Sequence, residues 1–406
     1  MTQEVEHREL QRTATDIGLT FARQFLSGLM QLGVLLIVAR SLGPEGSGAF
    51  AIALLVPTFM AKFLNLGIVA ANVYYVASER FSLVQVWASS RDLILFVALV
   101  GTALAVALIM SFGERVLPGI ERMVLLSALL IFPFSLIASL VIGIFQALQD
   151  FRSFNIAFLM QPSIALCGVF SVWIMGASSL PFILFAMVVS HLLAMLGMLL
   201  LLSRKLPLMA VTEDRLAYLR PALSYGGQAH FSNILTFLNY RLDLFLVNFF
   251  LGPAAAGIYT VAIRLVEQLW MVSQAVSIVI FPRLSAIYGT QTDKNAYTPI
   301  LARSVMWLTL LGSVALALIA DPLIDFLFGP EFALANPALL ILLPGIILFS
   351  CGRVLANDVA ARGLVTLNLA LAGLVLIINT IANLILIPQI GLIGAAIATT
   401  IAYTVS

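Results

Sequence analysis

Apolar residues run through this chain in long blocks, not in the alternating pattern of strands or the one-sided stripe of a soluble helix. Many blocks are long enough to cross about 30 Å of hydrocarbon at about 1.5 Å per residue. They predict helices at 15–40, 48–70, 91–112, 122–147, 154–176, 180–203, 224–251, 257–282, 300–319, 334–356, 365–387 and from 391 onward, separated by short polar or Gly/Pro breaks. The expected fold class is therefore an all-α polytopic membrane protein of about twelve transmembrane helices. The last block, Gly391 to Ser406, supplies roughly 24 Å of helix, short of a full crossing, so the reading expects this helix to be truncated.

Composition supports lipid as the main solvent: 62% of the 406 residues are hydrophobic and 10% charged, with a mean hydropathy of +1.08, whereas soluble domains run near a quarter charged. A net charge of +2 with no basic block argues against nucleic acid as a partner. Cys167 and Cys351 lie in apolar runs, without metal-ligand spacing or a disulfide framework. The polar N-terminal tail, 1–14, precedes an apolar segment too long for a signal-peptide core, which reads as a retained first span. The first tail and the loops after even-numbered spans hold Arg8, Arg12, Arg80, Arg91, Arg152, Arg204, Lys205, Arg215, Arg220, Arg283, Lys294, Arg303 and Arg362. The other side holds only Arg40, Arg115 and Arg122, together with Asp321, Asp325 and Glu331. Cytoplasmic loops retain Lys and Arg, so the N-terminus is expected in the cytoplasm.

One turn is written twice. "LGPEGSGAF" (Leu42 to Phe50) returns as "LGPAAAGIY" (Leu251 to Tyr259), aligning Gly43 with Gly252, Pro44 with Pro253, Gly48 with Gly257, Phe50 with Tyr259 and Ala53 with Ala262. Each copy follows an odd-numbered span, the first and the seventh. Gly permits positive φ and Pro refuses to extend the preceding helix, so both copies suit a tight break between antiparallel helices. The repetition implies two six-helix parallel repeats around a central cavity, with the substrate path between them. The expected organisation is a tail at 1–14, an N-terminal half at 15–203, a cytoplasmic linker at 204–222 and an incomplete C-terminal half at 223–406.

"VARSLGPEGSGAFAIA", "NYRLDLFLVNFFLGPAAAGIYTVAIRLVEQLW", "FPRLS", "FLFGPEFALANPALLIL" and "LIPQIGLIGAAIATTIAY" occur in that order. Together they resemble the polysaccharide flippases of the multidrug, oligosaccharidyl-lipid and polysaccharide exporter superfamily, over essentially the whole chain. The resemblance implies a flippase of the bacterial inner membrane that carries an undecaprenyl-pyrophosphate-linked oligosaccharide outward for O-antigen, capsule or exopolysaccharide assembly. The implied partners are that lipid-linked glycan, the bilayer, and polymerase and chain-length proteins of the pathway. Two relatives by fold remain open as alternatives: a multidrug cation antiporter and a lipid II flippase.

Ionisable residues inside spans are costly unless they face protein or water, which makes each a candidate for function. Arg241 and Asp243 sit near the middle of the seventh span, two residues apart and so on nearly opposite sides, while Asn239 shares a face with Asp243. Arg241 therefore needs a partner from another helix or from the substrate, and its planar fork matches pyrophosphate oxygens. Arg264 and Glu267, three residues apart in the eighth span, are spaced to neutralise one another as a structural clamp; opened during transport, Glu267 becomes a coupling group for H⁺ or Na⁺. Arg23 in the first span and Lys62 in the second either snorkel to the boundary or join Arg241 in a cationic vestibule. Asn368, Asn379 and Asn383 fall on one side of the eleventh span and read as interhelical glue.

A membrane polymerase or ligase is the rival from another class. Such chemistry needs paired acids or a His-containing cluster in a large loop. The loops here are short, and the three histidines, His7, His191 and His230, are scattered. No phosphate-binding loop suggests an ATP-driven pump. The chain is thus expected not to be an enzyme, to bind no metal at a catalytic site and to need no cofactor.

Overall fold

The computed structural model describes residues 2–212, 214–288, 297–361 and 364–406. Its helices are α1 (Thr2–Leu64), α2 (Ile68–Ala77), α3 (Leu83–Val116), α4 (Arg122–Leu129), α5 (Ile131–Ala147), α6 (Phe151–Ile174), α7 (Leu180–Ser203), α8 (Arg215–Leu251), α9 (Pro253–Tyr288), α10 (Tyr297–Phe328), α11 (Ala335–Ala361), α12 (Val365–Ile390) and α13 (Leu392–Val405), with a 3₁₀ turn at Pro330–Phe332. No strand occurs among the described residues. Nine helical stretches among them are long and apolar enough to cross a membrane. Large side chains stand open along these stretches, with Leu99 72%, Leu318 78% and Phe326 78% exposed; water would not tolerate that surface, and lipid does. The chain is a multi-pass membrane protein. Lys294 and Arg362, which entered the charge pattern, lie outside the described residues, as do the side chains of His7, Arg8, Arg12 and Arg283.

The repeated turn does what its composition dictates. Gly43 has φ 65° and interrupts α1, so that a single helical run holds two arms, and Gly252 has φ 83° between α8 and α9. Pro44 and Pro253 then begin the following arm where a missing N–H costs nothing. Two predicted spans are interrupted within their predicted bounds, the second at Leu64 and the fourth beside Pro133, a proline that can kink its span. The second, 48–70, stops at Leu64: Leu66 and Gly67 take φ of 51° and 70°, and Asn65 Oδ1 accepts the Gly67 N–H at 2.9 Å. The fourth, 122–147, divides into α4 and α5 around Leu130, because Pro133 has no N–H to offer the carbonyl of Leu129.

The chain forms two compact units: Leu29–Phe237, and Met1–Gly28 with Leu238–Ser406. In the first, α5 packs against α2, α3, α6 and α7, burying Phe132, Leu136, Ile144 and Phe145. Gly67 lies so close to α8 that a Cβ would fall 2.1 Å from the Gly226 carbonyl oxygen, so a side chain at 67 is excluded by space as well as by φ.

The polar stretch after α7 is fastened down along its length. The Leu208 carbonyl accepts from Trp87 Nε1 (3.0 Å) and Arg91 Nη1 (2.6 Å). Asp92 joins Arg91 (2.7 Å) to Arg215 (3.0 Å). The buried Tyr218 hydroxyl and Ser90 both donate to Asn72 Oδ1; burial pushes the Tyr218 phenol up from its usual range, against the lowering effect of Ser90. At the other end Lys205 Nζ lies 2.5 Å from Asp150 Oδ2. Partial burial raises the Asp150 carboxyl, but Lys205 and Ser153 outweigh it and hold the group at about 2. Because that folded-state value lies below the ordinary one, the pair contributes stability above about pH 4 and loses it as pH falls towards 2. Thermal unfolding of Lys205→Ala, compared with wild type between pH 2 and pH 5, is expected to show a smaller loss on acidification.

In the second unit α11 is central, packed against α9, α10 and α13, with α12 against α13. Small residues let these backbones approach. A Cβ on Gly345 would sit 2.9 Å from Thr400 Cα, and one on Gly394 would sit 2.3 Å from the Leu386 carbonyl oxygen. Asn368 donates to the Ala356 carbonyl (2.8 Å) and Asn379 to that of Asn239 (3.4 Å), tying α12 to α11 and α8. The asparagine side of α12 is thus interhelical glue.

Candidate functional site

The site lies in the second unit and starts from the least apolar of the nine stretches, His230–Leu251, with a mean hydropathy of 1.4. Its sequence, Leu238-Asn239-Tyr240-Arg241-Leu242-Asp243, puts three polar side chains within two turns. Helical geometry sends Arg241 and Asp243 to opposite sides, and each finds different company there.

On one side Arg241 Nη1 reaches Glu267 Oε1 on α9 at 2.8 Å, and Arg264 Nη1 reaches the other carboxylate oxygen at 3.1 Å. One carboxylate thus serves two guanidinium groups. Glu267 is the most enclosed of the three, with 13% of its side chain exposed, against 20% for Arg241 and 38% for Arg264. The three side chains carry a formal excess of one positive charge, with Arg241 inside the apolar stretch His230–Leu251. Arg264–Glu267 pair as their spacing predicts, and Arg241 obtains the cross-helix partner it required.

On the other side Asp243 is 1% exposed. Its Oδ2 accepts from the Tyr259 hydroxyl (3.0 Å) and Thr399 Oγ1 (3.1 Å), and its Oδ1 accepts from the Leu244 N–H (2.7 Å). Tyr259 and Thr399 lie 3.1 Å apart. No basic nitrogen among the described residues lies within ion-pair distance of this carboxyl. Asn239 donates to the Ala372 carbonyl at 3.1 Å; its Oδ1 and that of Asn383 are buried and find no donor among the described residues. Tyr259 is the aromatic residue of the second repeated turn. The first turn has Phe50, 5% exposed and without a hydroxyl, so the two copies share a backbone break but only the second supports a buried acid.

Arg23, 5% exposed, lies on the part of α1 that belongs to this same unit. That part runs beside α9: a Cβ on Gly28 would meet Met271 Cε at 2.0 Å and Gln268 Oε1 at 3.1 Å. Lys62 stands exposed in the last turn of α1, in the other unit. Arg241, Arg264 and Glu267 therefore form one cluster, Asp243 joins Tyr259 and Thr399 in another, Asn239 binds the Ala372 carbonyl, and Arg23 shares their unit. Tyr259 and Thr399 were not singled out in the sequence; the signal for Tyr259 was its replacement of Phe50 in the aligned turn. No group of three or more His, Cys, Asp or Glu among the described residues is arranged to hold a metal ion.

The polysaccharide biosynthesis protein family matches residues 14–288. The probable low-salt glycan biosynthesis flippase Agl15 of Haloferax volcanii is 26% identical over 190 residues, 46% of this chain and 40% of that protein. The capsular polysaccharide biosynthesis protein CapF of Staphylococcus aureus is 26% identical over 180 residues, 43% of this chain and 45% of its own. The matched region thus spans less than half the length of either relative. Among solved structures, the lipid II flippase MurJ in an inward closed conformation superposes with a TM-score of 0.80 at 16% identity, covering 95% of this chain and 85% of that one. An inward-facing multidrug resistance MATE family transporter gives 0.73 at 15% identity, covering 93% and 91%. At such identities these likenesses speak for the fold alone. With more than half its residues matched, the chain belongs to the polysaccharide biosynthesis protein family.

Proposed function

We propose that this protein is a non-enzymatic flippase that moves an undecaprenyl-pyrophosphate-linked oligosaccharide across the bacterial inner membrane by alternating access, with its N-terminus in the cytoplasm. Family membership supports polysaccharide assembly as the setting, and the flippase names of the relatives support translocation as the step. The observation that carries the substrate class is the shared carboxylate: two guanidinium groups for one Glu267 leave a positive charge, with Arg241 inside an apolar stretch where lipid would otherwise forbid it. A pyrophosphate brings the missing negative charge in a shape that guanidinium binds bidentately. Arg264, the most exposed of the three, is the first to meet it, Arg241 the second, and Arg23 in the same unit extends the basic path. The polyprenyl tail stays in lipid while the charged head and sugars cross through protein.

Outward movement of an anion runs with a membrane potential that is negative inside, at about 2.3 kcal/mol per charge per 100 mV. A coupling ion adds to this. Asp243 is the group suited to carry it: a buried acid held by two hydroxyls and one backbone N–H. In that scheme Glu267 neutralises arginines and Asp243 exchanges a proton or a sodium ion. Charge reversal in Arg241→Glu is expected to abolish glycan export while the protein still inserts in the membrane. Export at the wild-type rate in that variant would remove the basic cluster from the substrate path.

A further inference from the structure

In the unit that holds the arginine cluster, two of the buried amide oxygens that find no donor among the described residues lie on α1 and α9: Gln24 Oε1 and Gln268 Oε1. Their positions are related. Gln268 donates its Nε2 to the Arg264 carbonyl at 3.2 Å, which fixes the amide and turns its oxygen towards α1, where it would lie 3.1 Å from a Cβ on Gly28. Gln24 is one helical turn before Gly28 on the same face of α1. Gly28 has no side chain to hold the helices apart, and a Cβ there would already fall 2.0 Å from Met271 Cε. Both open oxygens therefore lie along the α1–α9 seam. On α9 the same face carries Arg264, four residues before Gln268.

The chemistry of that row is graded. Arg264 offers donors and positive charge, which suit phosphate oxygens. One turn further, Gln268 has spent a donor on its own helix and presents an acceptor, and Gln24 presents another. A phosphate oxygen is itself an acceptor and gains nothing from them. A sugar hydroxyl or an acetamido N–H is a donor and completes both. An unpaired buried acceptor is costly, so a site with such groups favours the ligand that supplies the donor and rejects the one that lacks it.

We infer that Gln24 and Gln268 are specificity-determining residues that read donor groups on the sugar attached directly to the pyrophosphate. This rests on the flippase reading above. The test uses the full chain in detergent or nanodiscs and two probes: undecaprenyl pyrophosphate bearing a single N-acetylhexosamine, and undecaprenyl pyrophosphate without sugar. The expected result is that wild type prefers the sugar-bearing lipid, and that Gln24→Leu and Gln268→Leu each weaken its binding about tenfold while leaving the sugarless lipid unchanged. Removal of an unpaired acceptor in Gln24→Leu is also expected to leave the unfolding temperature equal to or above that of wild type. Equal weakening of both lipids, or weakening of neither, overturns the assignment. Arg264→Gln separates the two readings, since it should weaken both lipids alike; wild-type protein that binds neither overturns the flippase reading and this inference with it.

Discussion

Glu267→Ala is expected to cost about 3–5 kcal/mol of stability, because it leaves Arg241, inside an apolar stretch, and Arg264 facing one another with no shared counter-charge. The penalty has two sources. The ion pairs are lost, and two like charges that a carboxylate held at 2.8 and 3.1 Å now repel. Glu267→Gln keeps one acceptor oxygen, enough for one guanidinium group, and should lose less. Arg264→Ala should lose least, since 38% of its side chain is exposed and the Arg241–Glu267 pair survives. Unfolding of the three variants in one detergent, followed by tryptophan fluorescence, gives the order directly. A Glu267→Ala protein within about 1 kcal/mol of wild type would mean that the cluster is not what holds α8 against α9.

Asp243→Asn is expected to separate transport from its driving ion. The change is nearly isosteric, and the hydroxyls of Tyr259 and Thr399 can turn to accept where they now donate, so α8, α9 and α13 should remain joined. What disappears is the acid proposed to take up and release a cation. A tenfold gradient of a singly charged ion contributes about 1.4 kcal/mol per ion carried. Wild-type accumulation in proteoliposomes should thus change about tenfold for each decade of proton or sodium gradient, and that of Asp243→Asn should not respond. A variant that follows the gradient as wild type does would exclude Asp243 as the coupling group.

The residues differ in how much of this they disclosed in sequence, and the difference follows from range. The repeated turn was legible because Gly and Pro act locally: the positive φ of Gly43 and Gly252 needs no partner. Arg264–Glu267 was legible because a helix fixes neighbours three residues apart. For Arg241 the helix gave the direction opposite Asp243, yet its partner lies 26 residues on, across a break. Thr399 reaches Asp243 over 156 residues, and nothing local in "IATT" distinguishes that hydroxyl from the next. The break after Leu64 was hidden for a related reason. Asn65 and Gly67 are weak local signals, and the demand for a glycine comes from Gly226 on a distant helix. The stretch 204–222 reads as a linker by its polarity, whereas the Leu208 carbonyl within it accepts from Trp87 and Arg91, more than a hundred residues away. Long-range hydrogen bonds of this kind leave no periodicity to read.

The positive excess at Arg241, Arg264 and Glu267 is proposed to serve a lipid-linked pyrophosphate. The measurement that tests it most directly is flipping by the purified full-length protein in liposomes. The substrates are undecaprenyl-pyrophosphate-linked oligosaccharide, lipid II and a cationic dye, compared for wild type and Arg241→Ala. The account expects the oligosaccharide lipid to be flipped by wild type and not by the variant, with no dye efflux from either. Dye efflux by wild type without flipping of either lipid would contradict it, and would make the same fold a cation exporter.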